Sequence, residues 1–405
     1  MRDEGEVWHV GRADTGEFVV LPDVGVRALR LFQAGLSVDE ASERLRDDDD
    51  DGDKDVDLVD FSEALIELGF VASLDGCDLP SPPLQRATWP GLRARHVRWA
   101  LQPAVTVGTL AVILAGALSV VAYPDLLPSY RDAIWSSHGS LVVIVNAGVG
   151  WTLLLVHELA HLMTARAADV PGKMSFGTRL QFLVAQTDVS GVWCAPRRVR
   201  LTVYCAGMAV ELVLASVGLL LLATTNPSGA VHTAASVVVL FALATVPWQA
   251  LVFMRTDLYF VLQDLSRCPD LHSAGSTYVR HQLRRLIRRE GSASLTNPTA
   301  RVVPRERHVV RAYAVLLCLG TLGCLSVYFA VTLPILVTLM AGAVRTLLHG
   351  GSPTDVADAL TVLALTGLVQ GLWVRAWLRK HASRIRSLRW RGRQAVQPPD
   401  HEVVT

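Results

Sequence analysis

Residues 140–165 read SLVVIVNAGVGWTLLLVHELAHLMTA. An uncharged apolar stretch, long enough with its neighbours to cross a hydrocarbon core of about 30 Å, runs into His157-Glu158-Leu159-Ala160-His161. The motif thus lies about 24 Å along an apolar helix. Ionisable groups there are costly unless they are paired, bound to metal or turned toward a cavity. Residues four apart share a helix face, so both imidazoles can grip one metal ion. Glu158 is then placed to take a proton from water and pass it to a leaving amine. With twelve histidines, such a motif should arise by chance in about one chain of this kind in a hundred.

Working outward, apolar runs of spanning length are predicted at about 99–122, 140–165, 202–223, 234–254, 310–332 and 357–378. The chain of 405 residues is 51% hydrophobic and only 19% charged, where a soluble domain is nearer a quarter. The predicted class is mainly α: a polytopic membrane bundle of six spans. Basic residues gather at Arg93/Arg95/Arg98, Lys173 to Arg200, Arg280 to Arg289 and Arg379 to Arg393, and the intervening loops carry few. That alternation predicts an integral protein of the plasma membrane with both termini cytoplasmic. Residues 335–349 follow Pro334 too closely for an easy hairpin and are expected to be interfacial or re-entrant. A net charge of +1 with no basic domain argues against nucleic acid as a partner; lipid is the expected surroundings. Six cysteines without a CxxC pair argue against a disulfide framework or zinc ribbon. With an acidic, polar start and no signal peptide, the first span should direct insertion.

Residues 1–75 read as a small α+β domain. The predicted order is a strand at Glu17–Leu21, a helix from Val24 to Phe32, a helix opened by the capping box Ser37-Val38-Asp39-Glu40, a helix from Asp57 to Leu68 closed by Gly69, and a returning strand at Phe70-Val71-Ala72. The run Asp47 to Gly52 imitates half of a calcium loop, but Leu58 stands where the bidentate glutamate is needed, so it reads as a solvated loop. Residues 76–98 form a linker rich in proline (Pro80, Pro82, Pro83, Pro90) with a basic flank, residues 99–380 the membrane domain, and residues 381–405 a basic tail.

A site with two histidines needs a third protein ligand at similar depth. Asp257, just after the fourth span, is the leading candidate; Asp264 lies two helical turns further and suits a supporting place, with His272 and Cys268 as weaker alternatives for the ligand. Glu211 sits inside the third span. It is either a hydrogen-bond partner of a metal ligand or of nearby backbone, or a protonated glutamate that packs helices. Met174–Phe176 and Leu180–Val184 are β-like runs after Pro171-Gly172.

These residues resemble the site-2-protease family of membrane zinc metallopeptidases, and in particular its peptide zinc metalloprotease branch. The likeness rests on His157–His161, Thr187-Asp188 before Trp193, Arg197-Arg198-Val199-Arg200, Ala206-Gly207-Met208 before Glu211, and Phe253-Met254-Arg255-Thr256-Asp257. It covers residues 145–275, about a third of the chain. The resemblance implies zinc held by His157, His161 and Asp257, Glu158 as catalytic residue, and a membrane-associated hairpin at 173–193 whose edge receives an extended substrate, with Asp188 orienting it. Two departures stand out. Leu258 follows Asp257 where the branch has glycine, and Leu251-Val252 replace an Asn-Pro pair; Gln249 remains upstream as an amide for a substrate strand. The N-terminal pattern Phe18–Leu21, Gly35 before Ser37–Glu40, and Leu68–Val71 is similar to the PqqD-type winged-helix domain, which implies capture of a leader peptide.

The expected function is peptide-bond hydrolysis in the processing or export of a ribosomally made peptide. Two other readings stay open: a scaffold or export partner that binds peptide without cutting it, and an intramembrane protease of a membrane-anchored regulator.

Overall fold

The computed structural model describes residues 2–3, 7–12, 15, 17–48, 57–80, 87–136, 139–179, 182–227, 229–266, 268, 271–287 and 307–394. Residues 49–56 of the aspartate-rich insert, Pro82 and Pro83 of the linker, Leu180-Gln181 of the second β-like run, Arg288-Arg289 and the tail from residue 395 lie outside them. The chain is mainly helical and divides into two compact units. One comprises 1–110, 159–174 and 187–207, the other 111–158, 175–186 and 208–405.

In the first unit, β1 (Arg2–Asp3), β2 (Val7–Arg12) and β3 (Glu17–Pro22) pair antiparallel in that order. Three helices follow: α1 (Asp23–Gln33), α2 (Val38–Asp48) and α3 (Leu58–Glu67). Their ends obey local chemistry. Glu40 accepts from the backbone and hydroxyl of Ser37, and Ser37 Oγ accepts from the Glu40 N–H, the reciprocal capping box the sequence predicts. Asp57 caps α3 by accepting from the N–H groups of Val59 and Asp60. Gly35 and Gly69 take positive φ (89° and 71°) and close α1 and α3 with paired carbonyl bonds of the Schellman type. The returning strand at Phe70–Ala72 does not form. Its backbone leaves α3 through the Gly69 turn, and Phe70 packs its ring against Val10, Leu21 and Val26. Only Ser73–Leu74 (β4) pairs, with Cys77–Asp78 (β5). Sequence reading leaves out β2, which carries no clear alternation, and the two-residue strands β1, β4 and β5.

The linker is tied down where it is described. Thr88 exchanges hydrogen bonds with Gly172 and Met174, and the Arg166 guanidinium donates to the Leu92 carbonyl. A short helix α4 (Ala94–Val97) and a 3₁₀ turn at Arg98–Leu101 precede the first long apolar helix, α5 (Pro103–Ala122), so that span begins a turn later than the predicted residue 99.

Six helical stretches among the described residues are long and apolar enough to cross a membrane. They are α5; α6 (Gly139–Ala167); α7 (Arg197–Leu222); α8 (Ala230–Gln249); the continuous run of α11 (Arg307–Val327) and α12 (Leu333–His349); and the first part of α13 (Pro353–Gln394). Between α6 and α7, β6 (Lys173–Arg179) and β7 (Phe182–Asp188) form a two-stranded sheet. Between α8 and α11 lie α9 (Asp257–Ser266) and α10 (Leu271–Ile287). In the second unit α5 and α7 approach closely at Gly116 and Ser216, while Leu153, Ala215 and Ala242 pack α6, α7 and α8 together.

Residues 335–349, expected to be interfacial or re-entrant, lie in helix α12, which joins α11 through a π-helical turn at Tyr328–Thr332. Pro334 has no N–H for the carbonyl four residues back and its ring crowds that oxygen. The wider π turn absorbs the mismatch, so the helix continues where spacing predicted a stop. The run of 43 residues is about 64 Å long, twice a hydrocarbon core, and α13 packs along its second half.

Candidate metal centre

On α6 the side chains of His157, Glu158 and His161 fall within an arc of about 100°, given 100° per residue. Much of this helix is exposed: Ile144, Trp151 and Leu155 are all open on its surface. The turn bearing the motif is the exception. His157, Glu158 and His161 are each 6% exposed, so the polar groups face protein rather than the apolar exterior. That is the arrangement an apolar surround demands of ionisable side chains.

His161 Nδ1 lies 2.7 Å from the carbonyl oxygen of Val203 on α7. A carbonyl only accepts, so Nδ1 carries the proton and Nε2 presents the lone pair. Val203 is held by the packing of Ala165, Val170 and Val192, all buried.

His157 is held from two sides. Nδ1 is 3.2 Å from Oε1 of Glu211, and Nε2 is 2.9 Å from Oδ2 of Asp257. Glu211, on α7, is 3% exposed, and its other oxygen accepts from the Thr245 hydroxyl on α8 at 2.8 Å. A carboxylate behind a metal-ligating imidazole fixes its tautomer and raises its basicity.

Asp257 reaches the histidines because of how α8 ends. After Gln249 the chain makes a 3₁₀ turn at Val252–Met254, and Arg255 adopts the left-handed conformation (φ 60°) before α9 begins. Gln249 bridges this excursion. Its carbonyl accepts from the Thr256 hydroxyl at 2.8 Å, and its Oε1 accepts from the Asp257 N–H at 3.2 Å. The amide that sequence reading assigned to a substrate strand therefore has its oxygen engaged in capping α9.

One ligand atom each from His157, His161 and Asp257 lie within 4.8 Å of one another. The two imidazoles belong to one turn of the continuous helix α6. Donors about 2 Å from a tetrahedral ion stand about 3.3 Å apart, so small side-chain rotations suffice for these three to share one. Two imidazoles and a carboxylate suit a divalent transition ion and leave a fourth position open. Among the described residues no other group of three such side chains has this spacing.

Asp188, Asp264, His272 and Cys268 are the other predicted residues. Asp188 ends β7, and its Oδ1 accepts from the N–H and hydroxyl of Ser190, capping the turn that buries Val192. Asp264 is buried on α9, two turns beyond Asp257. Cys268 packs in a cluster with Tyr259 and Tyr313, and His272 Nδ1 lies 3.0 Å from the Tyr313 hydroxyl. Sequence reading missed Thr245 and the Val203 carbonyl. A threonine in an apolar helix and a main-chain oxygen carry no sequence signal of their own.

No family model, curated protein or solved structure matches the chain.

Proposed function

We propose that this protein is a membrane zinc metallopeptidase that hydrolyses peptide bonds in the processing or export of a ribosomally synthesised peptide. The supporting observation is the convergence of His157, His161 and Asp257 beside a buried Glu158 in an otherwise apolar helix. His157, His161 and Asp257 would hold the ion, which when bound supplies Lewis-acid polarisation of the scissile carbonyl and acidifies water. Glu158 serves as general base toward the attacking water and then as general acid toward the leaving amine. Glu211 and Thr245 keep the His157 ring oriented, and the Val203 carbonyl does so for His161. The N-terminal region, similar in pattern to leader-binding domains, is assigned the capture of peptide on the cytoplasmic side of the plasma membrane.

The test is to purify the full chain, measure its zinc content, and compare cleavage of leader-bearing peptides by wild type and Glu158→Gln. The proposal requires zinc in both and cleavage by wild type alone. Zinc in both with cleavage by neither assigns the chain to a peptide-binding scaffold or export partner. One observation favours that reading: Gln249 turns its carboxamide oxygen to Asp257 rather than toward a substrate strand.

A further inference from the structure

The segment that carries Asp257 is strained and needs support. Arg255, a non-glycine residue in the left-handed region, stands two residues before it. Such a conformation is disfavoured for a residue with a Cβ and persists only where the surroundings over-determine it. The last bond of the preceding turn runs from the Arg255 N–H to the Val252 carbonyl at 3.1 Å. That carbonyl also accepts from the Tyr313 hydroxyl on α11, at 3.4 Å. A phenol has one proton, so while it is given to Val252, the Tyr313 oxygen accepts from His272 Nδ1, 3.0 Å away on α10. The backbone N–H of His272 donates to the Tyr259 hydroxyl at 3.0 Å, and Tyr259 belongs to the first turn of α9 itself. The relay is enclosed: Tyr313 is 3% exposed, Tyr259 1% and Val252 8%. Gly275 and Gly320 leave room for it, since a Cβ at Gly275 would stand 2.7 Å from the Tyr313 ring and one at Gly320 would run into Phe253 of the turn.

We infer that Tyr313 and His272 are positioning residues for Asp257, bracing from α11 and α10 the turn that delivers this carboxylate to His157. The two side chains hold the Val252 end of the strained excursion, the His272 ring through the Tyr313 hydroxyl, while the His272 main chain holds Tyr259 after it. This role rests on the metal-centre reading proposed above.

The test uses the full chain in detergent micelles with Co(II) as the probe. The cobalt d–d spectrum and the dissociation constant, from competition with a chromophoric chelator, are measured for wild type, Tyr313→Phe, His272→Ala and His272→Asn. Amide hydrogen exchange over residues 252–258 is followed in the same proteins without metal. Tyr313→Phe keeps the ring and its packing, so the thermal midpoint should hold while cobalt affinity falls about tenfold, the d–d band shifts and exchange at 252–258 quickens. His272→Asn, which keeps a donor, should recover part of what His272→Ala loses. Unchanged cobalt affinity and exchange in Tyr313→Phe would overturn the bracing role and leave the metal centre standing. Failure of wild type itself to bind cobalt would overturn both, and would show in a protein whose amide exchange is still measurable.

Discussion

The Nδ1 of His157 lies 3.2 Å from Oε1 of Glu211, with both side chains buried between α6 and α7. A carboxylate with no apolar reason to be there is thus spent on orienting a ring whose opposite nitrogen faces Asp257.

Removal of this support should weaken metal binding without abolishing it. Glu211→Ala is expected to lower affinity by about 10–100-fold, and Glu211→Gln by less, because its amide oxygen still accepts from Nδ1–H. Competition titration with Zn²⁺ against a chromophoric chelator reads both variants. Equal affinity in wild type and Glu211→Ala would show that the contact orients nothing.

Metal should also stabilise the fold by mass action. Zn²⁺ at a hundred times its dissociation constant is expected to add about 2.7 kcal/mol to the wild type and to raise its unfolding midpoint. Asp257→Asn and His161→Ala, each short of one ligand, should show a much smaller rise at the same Zn²⁺ concentration. Thermal denaturation in detergent, with and without chelator, is the check.

Gly116 on α5 faces Ser216 on α7 so closely that an added Cβ would stand 2.5 Å from the serine Cβ and 2.7 Å from its Cα. Backbone cannot swing aside as a flexible side chain can. Gly116→Ala should therefore destabilise the membrane region by about 1–3 kcal/mol, despite alanine's better helix propensity. Gly108→Ala on the same helix meets nothing within 4 Å and should be neutral or slightly stabilising. Unfolding midpoints of the two variants measured side by side decide it.

Glu40 has its carboxyl held below the ordinary value, first by the Ser37 N–H and then by the Ser37 hydroxyl. A depressed acid contributes stability above its ordinary pKa and loses it as pH falls through the lowered one. The first transition in unfolding of the N-terminal region should therefore weaken below about pH 4.3 in wild type, and less so in Glu40→Gln. Circular dichroism melts from pH 3 to pH 7 would test the sign; a wild type that gains stability on acidification would contradict it.

Local features were open to sequence reading wherever one residue type has one physical use. Ser37 with Glu40, Gly35 and Gly69 mark helix ends because few other residues satisfy those backbone groups or tolerate positive φ. The long apolar runs were visible for the same reason, since a single continuous apolar segment satisfies its own backbone in lipid only as a helix. Where two solutions exist, spacing misled. Pro334 can end a helix or be carried by a π turn, and spacing does not tell the two apart; Phe70 can join a sheet or fill a core, and packing on Val10, Leu21 and Val26 made that choice.

From the sequence alone came the turn of α6 with both imidazoles and Glu158, because helical periodicity places residues four apart on one face whatever surrounds them. The tertiary structure decided that Asp257 meets them and that Gln249 serves as a cap. It also decided that the Val203 carbonyl lies against His161 Nδ1 and the Glu211 carboxylate against His157 Nδ1. Those relationships join residues as far as a hundred positions apart, on different helices or across the end of one, and helical periodicity carries no information about such pairs.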